Sequence, residues 1–376
     1  MPKAKLPMSM RERWIGWRNS VIANPRFQRW AAAFPVTKPI ADKHAGRLFD
    51  VCAGFVYSQI LSASAQLNLF DMLAGGALTV DEIAAEARLP VQSAETLLRA
   101  GAALGLFEET APGRFALGEG GAALLGNSGV LAMIAHHDAL YRDLADPVRV
   151  LRDRPKDTRL AAFWRYPVAD NRETLSASDV SAYSALMAAS QSFIAEDVLE
   201  AYSFAKRTRL LDIGGGAGAF LSAALGRHKN LEGILFDLPA VADIARERIR
   251  AAGFSSRVRI EGGDFYRDAL PEGADIASLI RVLHDHDDDP ALAILKAARA
   301  ALPPHGALVI AEPMAHTPGA KAMGDAYFGL YLLAMGSGRP RSRETLSALV
   351  RAAGFRTAQF VRSRRPLLVS VLVAKP

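Results

Sequence analysis

The sequence predicts an α/β protein with a mostly parallel sheet in its carboxyl-terminal half and a helical amino-terminal region. After residue 208, short apolar segments alternate with helical ones, which is typical of a parallel sheet covered by helices on both faces. Strands are expected at Arg209–Ile213, Leu231–Phe236, Arg257–Glu261, Ile276–Val282, Ala307–Ala311, Thr357–Val361 and Leu367–Val373. The last two are separated only by Arg362–Pro366. Since that connection is too short for a parallel crossover, the final pair is expected to be antiparallel.

The region before this sheet has the element order of a winged helix. A long apolar helical pattern covers Ala45–Leu73, and Thr79 then precedes Glu82 by three residues, which predicts a capping box at the start of a helix. Another short helix is expected near Val91–Leu104, followed by two strands that meet at Ala111–Gly113. Helix, helix, helix and a two-stranded wing together predict a winged-helix domain.

A winged helix can bind DNA, or it can serve as a dimerisation domain or a substrate lid. Phosphate binding requires several cations on one face, but the expected recognition helix carries only Arg99, with Glu95 opposing it. A dimerisation or lid role is therefore favoured, and no nucleic-acid partner is expected. The predicted domains are a basic arm (1–45), a winged-helix dimerisation domain (46–125), a helical region that lines the substrate (126–205) and a cofactor-binding domain (206–376).

Composition limits the class of protein. Half of the 376 residues are hydrophobic, so a sizeable core is available. No run reaches 18 apolar residues, so a transmembrane helix is not expected, and the basic amino terminus does not resemble a secretory signal. The one cysteine, Cys52, allows no intramolecular disulfide and is typical of the reducing cytoplasm. We expect it to be a buried small hydrophobic residue.

Positive charge is concentrated at the amino terminus. Residues 1–47 contain ten Lys and Arg against two acids, a net charge of +8, whereas the remainder has 35 basic and 37 acidic residues. Three of the four tryptophans, Trp14, Trp17 and Trp30, also lie there. Basic residues mixed with aromatic ones are typical of helices at a membrane interface. The alternative is a cationic arm that packs on its own protein or on a partner subunit.

The most informative stretch is Arg209–Phe220, in which an apolar strand ends in Asp212 and a glycine cluster and then becomes helical. Glycine allows a sharp turn and a close approach of the backbone to a ligand, and the following helix directs its amides at that ligand. Gly214 and Gly216 are compatible with a dinucleotide or with S-adenosylmethionine. An ordinary strand-to-helix turn remains a third interpretation.

Acidic residues also end the next two strands. Asp237 lies 23 positions after Gly214, where an acid can accept hydrogen bonds from ribose hydroxyls. It could also cap the helix near Pro239, and the two roles can coexist. Asp264 and Phe265 follow the third strand, and they suit the amine and the apolar face of an adenine. Three acids at adjacent strand ends therefore predict one ligand-binding crevice.

The fourth strand leads to His284, which is placed to act as a general base or, alternatively, as a structural histidine. Glu312, after the fifth strand, could orient the imidazole and stabilise its protonated form, or it could be a surface acid. His286 and the following acids could suggest a metal site. However, 287–289 directly before Pro290 are typical of a helix cap and first turn, so no metal is expected.

These motifs resemble the small-molecule O-methyltransferases that carry a winged-helix dimerisation domain. The resemblance covers residues 46–376, with matching motifs at 211–218, 236–239, 263–265, 281–285 and 311–313. It implies a homodimer with a Rossmann-like class I methyltransferase domain, with His284 as catalytic base and Glu312 as a flanking carboxylate. The cofactor contacts that it implies for S-adenosylmethionine are Asp212, Gly214, Gly216, Asp237, Leu238, Asp264, Phe265 and Arg281.

Within that family, the segments Pro25–Trp30, Phe49–Gln59 and Gly324–Phe328 most resemble the carotenoid O-methyltransferases of phototrophic bacteria. These enzymes methylate the tertiary hydroxyl of hydroxylated neurosporene- and spheroidene-type carotenoids. This implies a hydrophobic hydroxylated substrate and a cytoplasmic enzyme, peripheral on the membrane if the arm docks there. Pro340 stands where many members have a second glutamate beside the base. The expected substrate-lining residues are Tyr183, Met187, Tyr327 and Met335, whose alternative is plain helix core. Methylation of a soluble phenol or polyketide, and a winged-helix regulator, remain the alternatives.

Overall fold

The computed structural model describes residues 8–164, 186–187, 191, 194–365 and 369–376. The chain divides into two compact units, Met1–Ala122 and Ala123–Pro376. The predicted boundary between residues 125 and 126 lies three residues after that division. Tyr183 falls outside the described residues.

The first unit is a winged helix preceded by additional helices. Its helices are α1 (Met10–Ile22), α2 (Pro25–Ala33), α3 (Lys38–Gln66), α4 (Leu69–Met72), α5 (Val80–Ala87), α6 (Val91–Ala103) and α7 (Glu119–Ala122). Its strands are β1 (Leu78–Thr79), β2 (Phe107–Ala111) and β3 (Arg114–Leu117), which pair antiparallel in the order β1-β3-β2. The winged-helix prediction is confirmed. Strand β1 was missed because two residues are too few to show an alternating pattern.

Local chemistry explains why α5 begins where the sequence predicted. The Thr79 hydroxyl accepts a hydrogen bond from the Glu82 amide at 3.3 Å, and the Glu82 carboxylate accepts one from the Thr79 amide at 2.7 Å. This is the reciprocal capping box, which satisfies two amides that a helix start leaves unpaired. Phe70, Leu98, Phe107 and Phe115 are almost fully buried and form the centre of this unit.

Helix α3 is long, apolar and mostly exposed. It begins at Lys38, so the predicted end of the arm at residue 45 lies inside a continuous helix. By length and composition alone it could cross a membrane, although it contains no uninterrupted run of 18 apolar residues. Phe49, Val51 and Phe55 on this helix are more than 60% exposed. The expectation that Cys52 is buried is wrong: it lies exposed on α3, because little of that helix is covered in the single chain.

The second unit contains the predicted sheet. Its labelled helices are α8 (Ser128–Asp143), α9 (Pro147–Asp153), α10 (Arg159–Phe163), α11 (Ala219–Arg227), α12 (Pro239–Ala251), α13 (Asp288–Ala301), α14 (Phe328–Met335) and α15 (Arg343–Ala352). Its strands are β4 (Arg209–Ile213), β5 (Glu232–Asp237), β6 (Val258–Gly262), β7 (Ile276–Ile280), β8 (Ala307–Glu312), β9 (Thr357–Val361) and β10 (Ser370–Lys375).

The seven strands lie in the order β6-β5-β4-β7-β8-β10-β9, and β10 runs antiparallel to both of its neighbours. The mostly parallel sheet and the antiparallel final pair are therefore confirmed. Leu211 and Ile213 pack into one core cluster and Leu210 into another, so the two faces of β4 are both covered. Burial on both faces explains why these strands show continuous apolar runs in the sequence.

Candidate active site

The glycine loop connects β4 to α11 and is fixed by the end of the neighbouring strand. Gly216 has φ of 56°, a left-handed conformation that favours glycine, and its amide donates to Asp237 Oδ2 at 2.7 Å. The Gly214 amide donates to the Phe236 carbonyl at 2.8 Å. The loop and the end of β5 are thus held together as one wall.

Asp237 accepts a second hydrogen bond from the Leu238 amide at 2.8 Å. Burial raises the pKa of Asp237 to about 6, although the two amide donors act in the opposite direction. The helix-cap alternative does not apply, because α12 begins at Pro239 with Leu238 at the cap position. The Asp237 carboxylate therefore both anchors the loop and lies beside the crevice.

The end of β6 adds an acid and two aromatic rings. Asp264 is buried and accepts from the Tyr266 amide at 3.0 Å. Phe265 packs edge-on against His286, with ring centroids 5.6 Å apart, and the Tyr266 hydroxyl lies 2.6 Å from His286 Nδ1. His286 is therefore tied into the crevice wall by aromatic neighbours.

A single crevice collects the predicted cofactor residues apart from Asp212. Its wall is formed by Gly214, Gly216, Asp237, Leu238, Val241, Asp264, Phe265, Tyr266, Arg281, Val282 and His286. Sequence reasoning missed Val241, Tyr266, Val282 and His286. Tyr266 and Val282 directly follow predicted site residues, so the one available signal was adjacency in the sequence.

Asp212 lies beneath the loop. It is buried, Ser278 donates to its Oδ1 at 2.6 Å, and burial raises its pKa to about 7. Its Oδ2 has no hydrogen-bond partner in the described part of the chain. A cationic ligand with hydroxyl donors fits such a site, because it would supply the donors and positive charge that buried carboxylates require. The acids and Phe265 together fit S-adenosylmethionine.

His284 lies beside this crevice on a single turn of 3₁₀-helix, Leu283–Asp285, that follows β7. Its Nδ1 donates to Glu312 Oε2, and both side chains are about 95% buried. The other carboxylate oxygen of Glu312 accepts from the amides of Val282 at 3.0 Å and Leu283 at 2.7 Å. Glu312 therefore orients both the imidazole and the backbone that carries it, and it is not a surface acid.

Asp285 is a second carboxylate that sequence reasoning did not assign. Its Oδ1 lies 3.1 Å from His284 Nε2. Burial alone lowers the pKa of His284, but the charges of Asp285 and Glu312 outweigh that effect and raise it above its usual value. The available signal was its position directly after the candidate base, since residue 285 belongs to the same motif.

Arg281 connects the cofactor crevice to the turn that carries His284. It lines the crevice, its amide donates to the Ala311 carbonyl at 2.8 Å, and its φ of 59° is left-handed. Such a backbone is uncommon for a non-glycine residue. The conformation turns the chain from β7 towards His284.

The described substrate candidates lie in one cluster that also contains aromatic and histidine side chains. Met187 and Met335 are buried there, which agrees with helix core, whereas Tyr327 is partly exposed. The Tyr327 hydroxyl lies 2.7 Å from His137 Nε2. Phe328 packs edge-on against Tyr327, with ring centroids 5.1 Å apart, and meets the His284 ring edge-on at 6.0 Å, which connects this cluster to the candidate base.

The acids that follow His286 have partners of their own. Asp288 and Asp289 occupy the first turn of α13, as predicted, and Asp288 pairs with Arg339 and Arg341. Among the described residues, no three His, Cys, Asp or Glu side chains are grouped as a metal site.

Comparison with known proteins agrees with this geometry. The O-methyltransferase domain model matches residues 141–356, and the O-methyltransferase dimerisation domain model matches residues 49–127. The chain is 39% identical to the demethylspheroidene O-methyltransferase of Cereibacter sphaeroides, over 93% of this chain and 92% of that one. It is 37% identical to the enzyme of the same name from Rhodobacter capsulatus, over 91% and 84%. The structure of human N-acetylserotonin methyltransferase in complex with S-adenosylmethionine superposes with a TM-score of 0.73 at 25% identity, over 88% of this chain and 97% of that one.

Proposed function

Because the chain belongs to the dimerising family of S-adenosylmethionine-dependent O-methyltransferases, we propose that its methyl acceptor is a hydroxyl group of a hydroxylated carotenoid. The observation that carries this substrate class is the similarity to two demethylspheroidene O-methyltransferases along more than nine-tenths of the chain. The protein is a homodimer that acts on a small molecule.

The reaction is an in-line displacement, in which the substrate oxygen forms a bond to the methyl carbon as the carbon–sulfur bond breaks. Bound S-adenosylmethionine supplies the electrophilic methyl group. The crevice residues hold the reactants, and removing their orientational freedom contributes about 7–11 kcal/mol. His284 Nε2 takes the hydroxyl proton, a role that typically contributes about 10²–10⁴-fold in rate.

The timing of proton transfer follows from acidity. An aliphatic tertiary alcohol is a far weaker acid than imidazolium, so His284 removes its proton during methyl transfer rather than before it. Glu312 holds Nδ1–H and stabilises the imidazolium that results, as a carboxylate does in a catalytic triad. Asp285 must yield Nε2 to the substrate hydroxyl, since both compete for that nitrogen.

The substrate chain would lie along the cluster that reaches His284. Tyr327 stacks on Tyr331 at a centroid distance of 5.7 Å, and Trp164 donates to the Tyr331 hydroxyl at 2.8 Å. These aromatic faces suit a polyene, with Met187 and Met335 as adaptable apolar neighbours. Tyr183, which lies outside the described residues, is also proposed to contact the substrate.

The arm would bring the enzyme to the membrane in which such a substrate dissolves. Trp14, Trp17 and Trp30 are 51–63% exposed, and Trp30 stacks on Phe34 with centroids 5.2 Å apart. The dimerisation match begins at residue 49, so these aromatic residues lie outside it. We place the enzyme in the cytoplasm, peripheral to the membrane surface. We propose no nucleic-acid partner, because Glu95 pairs with Arg99 on α6.

The substrate class is tested by incubating the protein with methyl-labelled S-adenosylmethionine and three panels of acceptors: hydroxycarotenoids, phenols and hydroxylated polyketides. Label in the methyl ether of a hydroxycarotenoid supports the proposal. Faster labelling of phenols or polyketides than of every hydroxycarotenoid would contradict it.

Membrane contact is tested by flotation with anionic and zwitterionic liposomes. The W14A/W17A/W30A variant is expected to lose binding to anionic liposomes, because these side chains would occupy the headgroup layer. The control is V148A/L151A, which removes exposed apolar side chains from α9. Binding that survives the triple substitution would refute the role of the arm.

A further inference from the structure

Each carbonyl group of the 3₁₀ turn that carries His284 accepts a hydrogen bond from one distant segment of the chain. This segment, residues 337–341, precedes α15 and is called here the clasp. Its Ser337 hydroxyl donates to the Asp285 carbonyl at 2.8 Å, and its Arg339 amide donates to the His284 carbonyl at 2.9 Å. The base is thus held through its own main chain.

Arg341 supplies the remaining two bonds of the clasp. Its guanidinium donates to the Leu283 carbonyl and to the His286 carbonyl, both at 2.6 Å. The side chain is buried to about 95%, so these donors face no competing water. A planar guanidinium can bridge two carbonyls three residues apart, and a lysine cannot reproduce that fork.

The Arg341 guanidinium is held in place by a carboxylate. Its Nε donates to Asp288 Oδ1 at 2.9 Å, on the first turn of α13, and Arg339 pairs with the same carboxylate. The clasp therefore connects the catalytic turn to the start of the following helix.

The backbone of the clasp also lies closer to the turn than a residue with a side chain would allow. Gly338 has φ of 81°, and a Cβ at that position would lie 2.1 Å from the His284 carbonyl oxygen. Such a contact is impossible without moving the turn, so glycine is required for the clasp to reach it.

We propose that Arg341 is a positioning residue for methyl transfer: through the Leu283 and His286 carbonyls it fixes the turn so that the His284 ring meets both Glu312 and the substrate hydroxyl. This rests on the proposed role of His284 as base. Glu312 holds the amides of the same turn, and the clasp holds its carbonyls.

The test compares R341A and R341K with the matched control R343A. Arg343 lies two residues away, is exposed and stacks on Phe360 at 4.8 Å. We expect kcat of R341A to fall about 10²-fold, the cost of a displacement of about 1 Å at a reacting group. S-adenosylmethionine affinity should stay near wild type, R341K should be intermediate, and added guanidinium should restore part of the kcat of R341A.

A readout without substrate separates positioning from general stability. The Nδ1–H proton of His284, held by Glu312, is expected to give a downfield proton resonance in the wild type and in R343A. Arg341→Ala should broaden or abolish it, and R341K provides the same comparison if R341A does not fold. An unchanged resonance in the folded variant, or an equal loss of cofactor affinity and kcat, would overturn the proposal. A wild type that shows the resonance but methylates no hydroxycarotenoid would refute the substrate assignment instead.

Discussion

The two sides of the crevice are built in different ways. Most of the cofactor side is formed by the ends of β4, β5 and β6, which are neighbours in the sheet, although Arg281, Val282 and His286 also line it. Asp237 accepts a hydrogen bond from the glycine loop directly. The base side is assembled from three segments that are distant in sequence: the turn with His284, Glu312 at the end of β8 and the clasp. The first side depends on local backbone geometry, and the second depends on a buried network.

This difference implies that binding and chemistry can be separated by mutation. Changes on the base side should lower turnover and spare the cofactor, because the loop does not depend on the network around His284. Changes on the cofactor side should weaken binding and leave turnover at saturation largely intact.

The largest effect is expected for His284→Ala. Loss of the base should reduce kcat by about 10²–10⁴-fold, with the dissociation constant of S-adenosylmethionine nearly unchanged. Single-turnover rates and calorimetric titration measure the two quantities. Equal losses in both would identify His284 as a structural residue and would remove the distinction between the two sides.

The next effect is expected for Asp237→Asn. Losing a charged acceptor costs about 1.5–3 kcal/mol, so cofactor affinity should weaken by about 10- to 100-fold. The control is D243N, an exposed acid on α12. Since the pKa of Asp237 is raised to about 6, wild-type affinity should be full above that pH and decline as the pH falls through it. A wild-type affinity that is constant from pH 5 to 8 would contradict this role.

A smaller effect is expected for Asp285→Asn. The active form of His284 is neutral, so kcat/KM should rise as the pH increases through its pKa. Removing the Asp285 charge lowers that pKa and should move the rising limb to lower pH. Asp287→Asn, on an exposed neighbour, is the control. A limb that stays in place would mean that Asp285 does not act on the imidazole.

The difference between local geometry on the cofactor side and long-range contacts on the base side also explains which features could be predicted from the sequence. Gly214, Gly216, Asp237 and Asp264 are local signals at strand ends, and the structure brings all four to one crevice. The capping box at Thr79 is also local, since both partners lie within one turn. Patterns of this kind are visible in a few consecutive residues.

Long-range contacts and exposed faces were harder to predict. Arg341 contacts Leu283 58 positions earlier, and no periodicity in the sequence indicates that pairing. Asp285 was not assigned because its position in the sequence does not reveal that its carboxylate lies 3.1 Å from His284 Nε2. Cys52 was expected to be buried because a free cysteine behaves as a small hydrophobic residue, yet residue type does not reveal which face of a helix is covered.

The central claim is that the crevice presents a methyl sulfonium to His284, and a structure of the protein with S-adenosylhomocysteine tests it most directly. We predict ribose hydroxyls on Asp237, adenine against Phe265 and the sulfur directed towards His284 Nε2. A nucleoside bound elsewhere, or a sulfur directed away from the imidazole, would contradict the account.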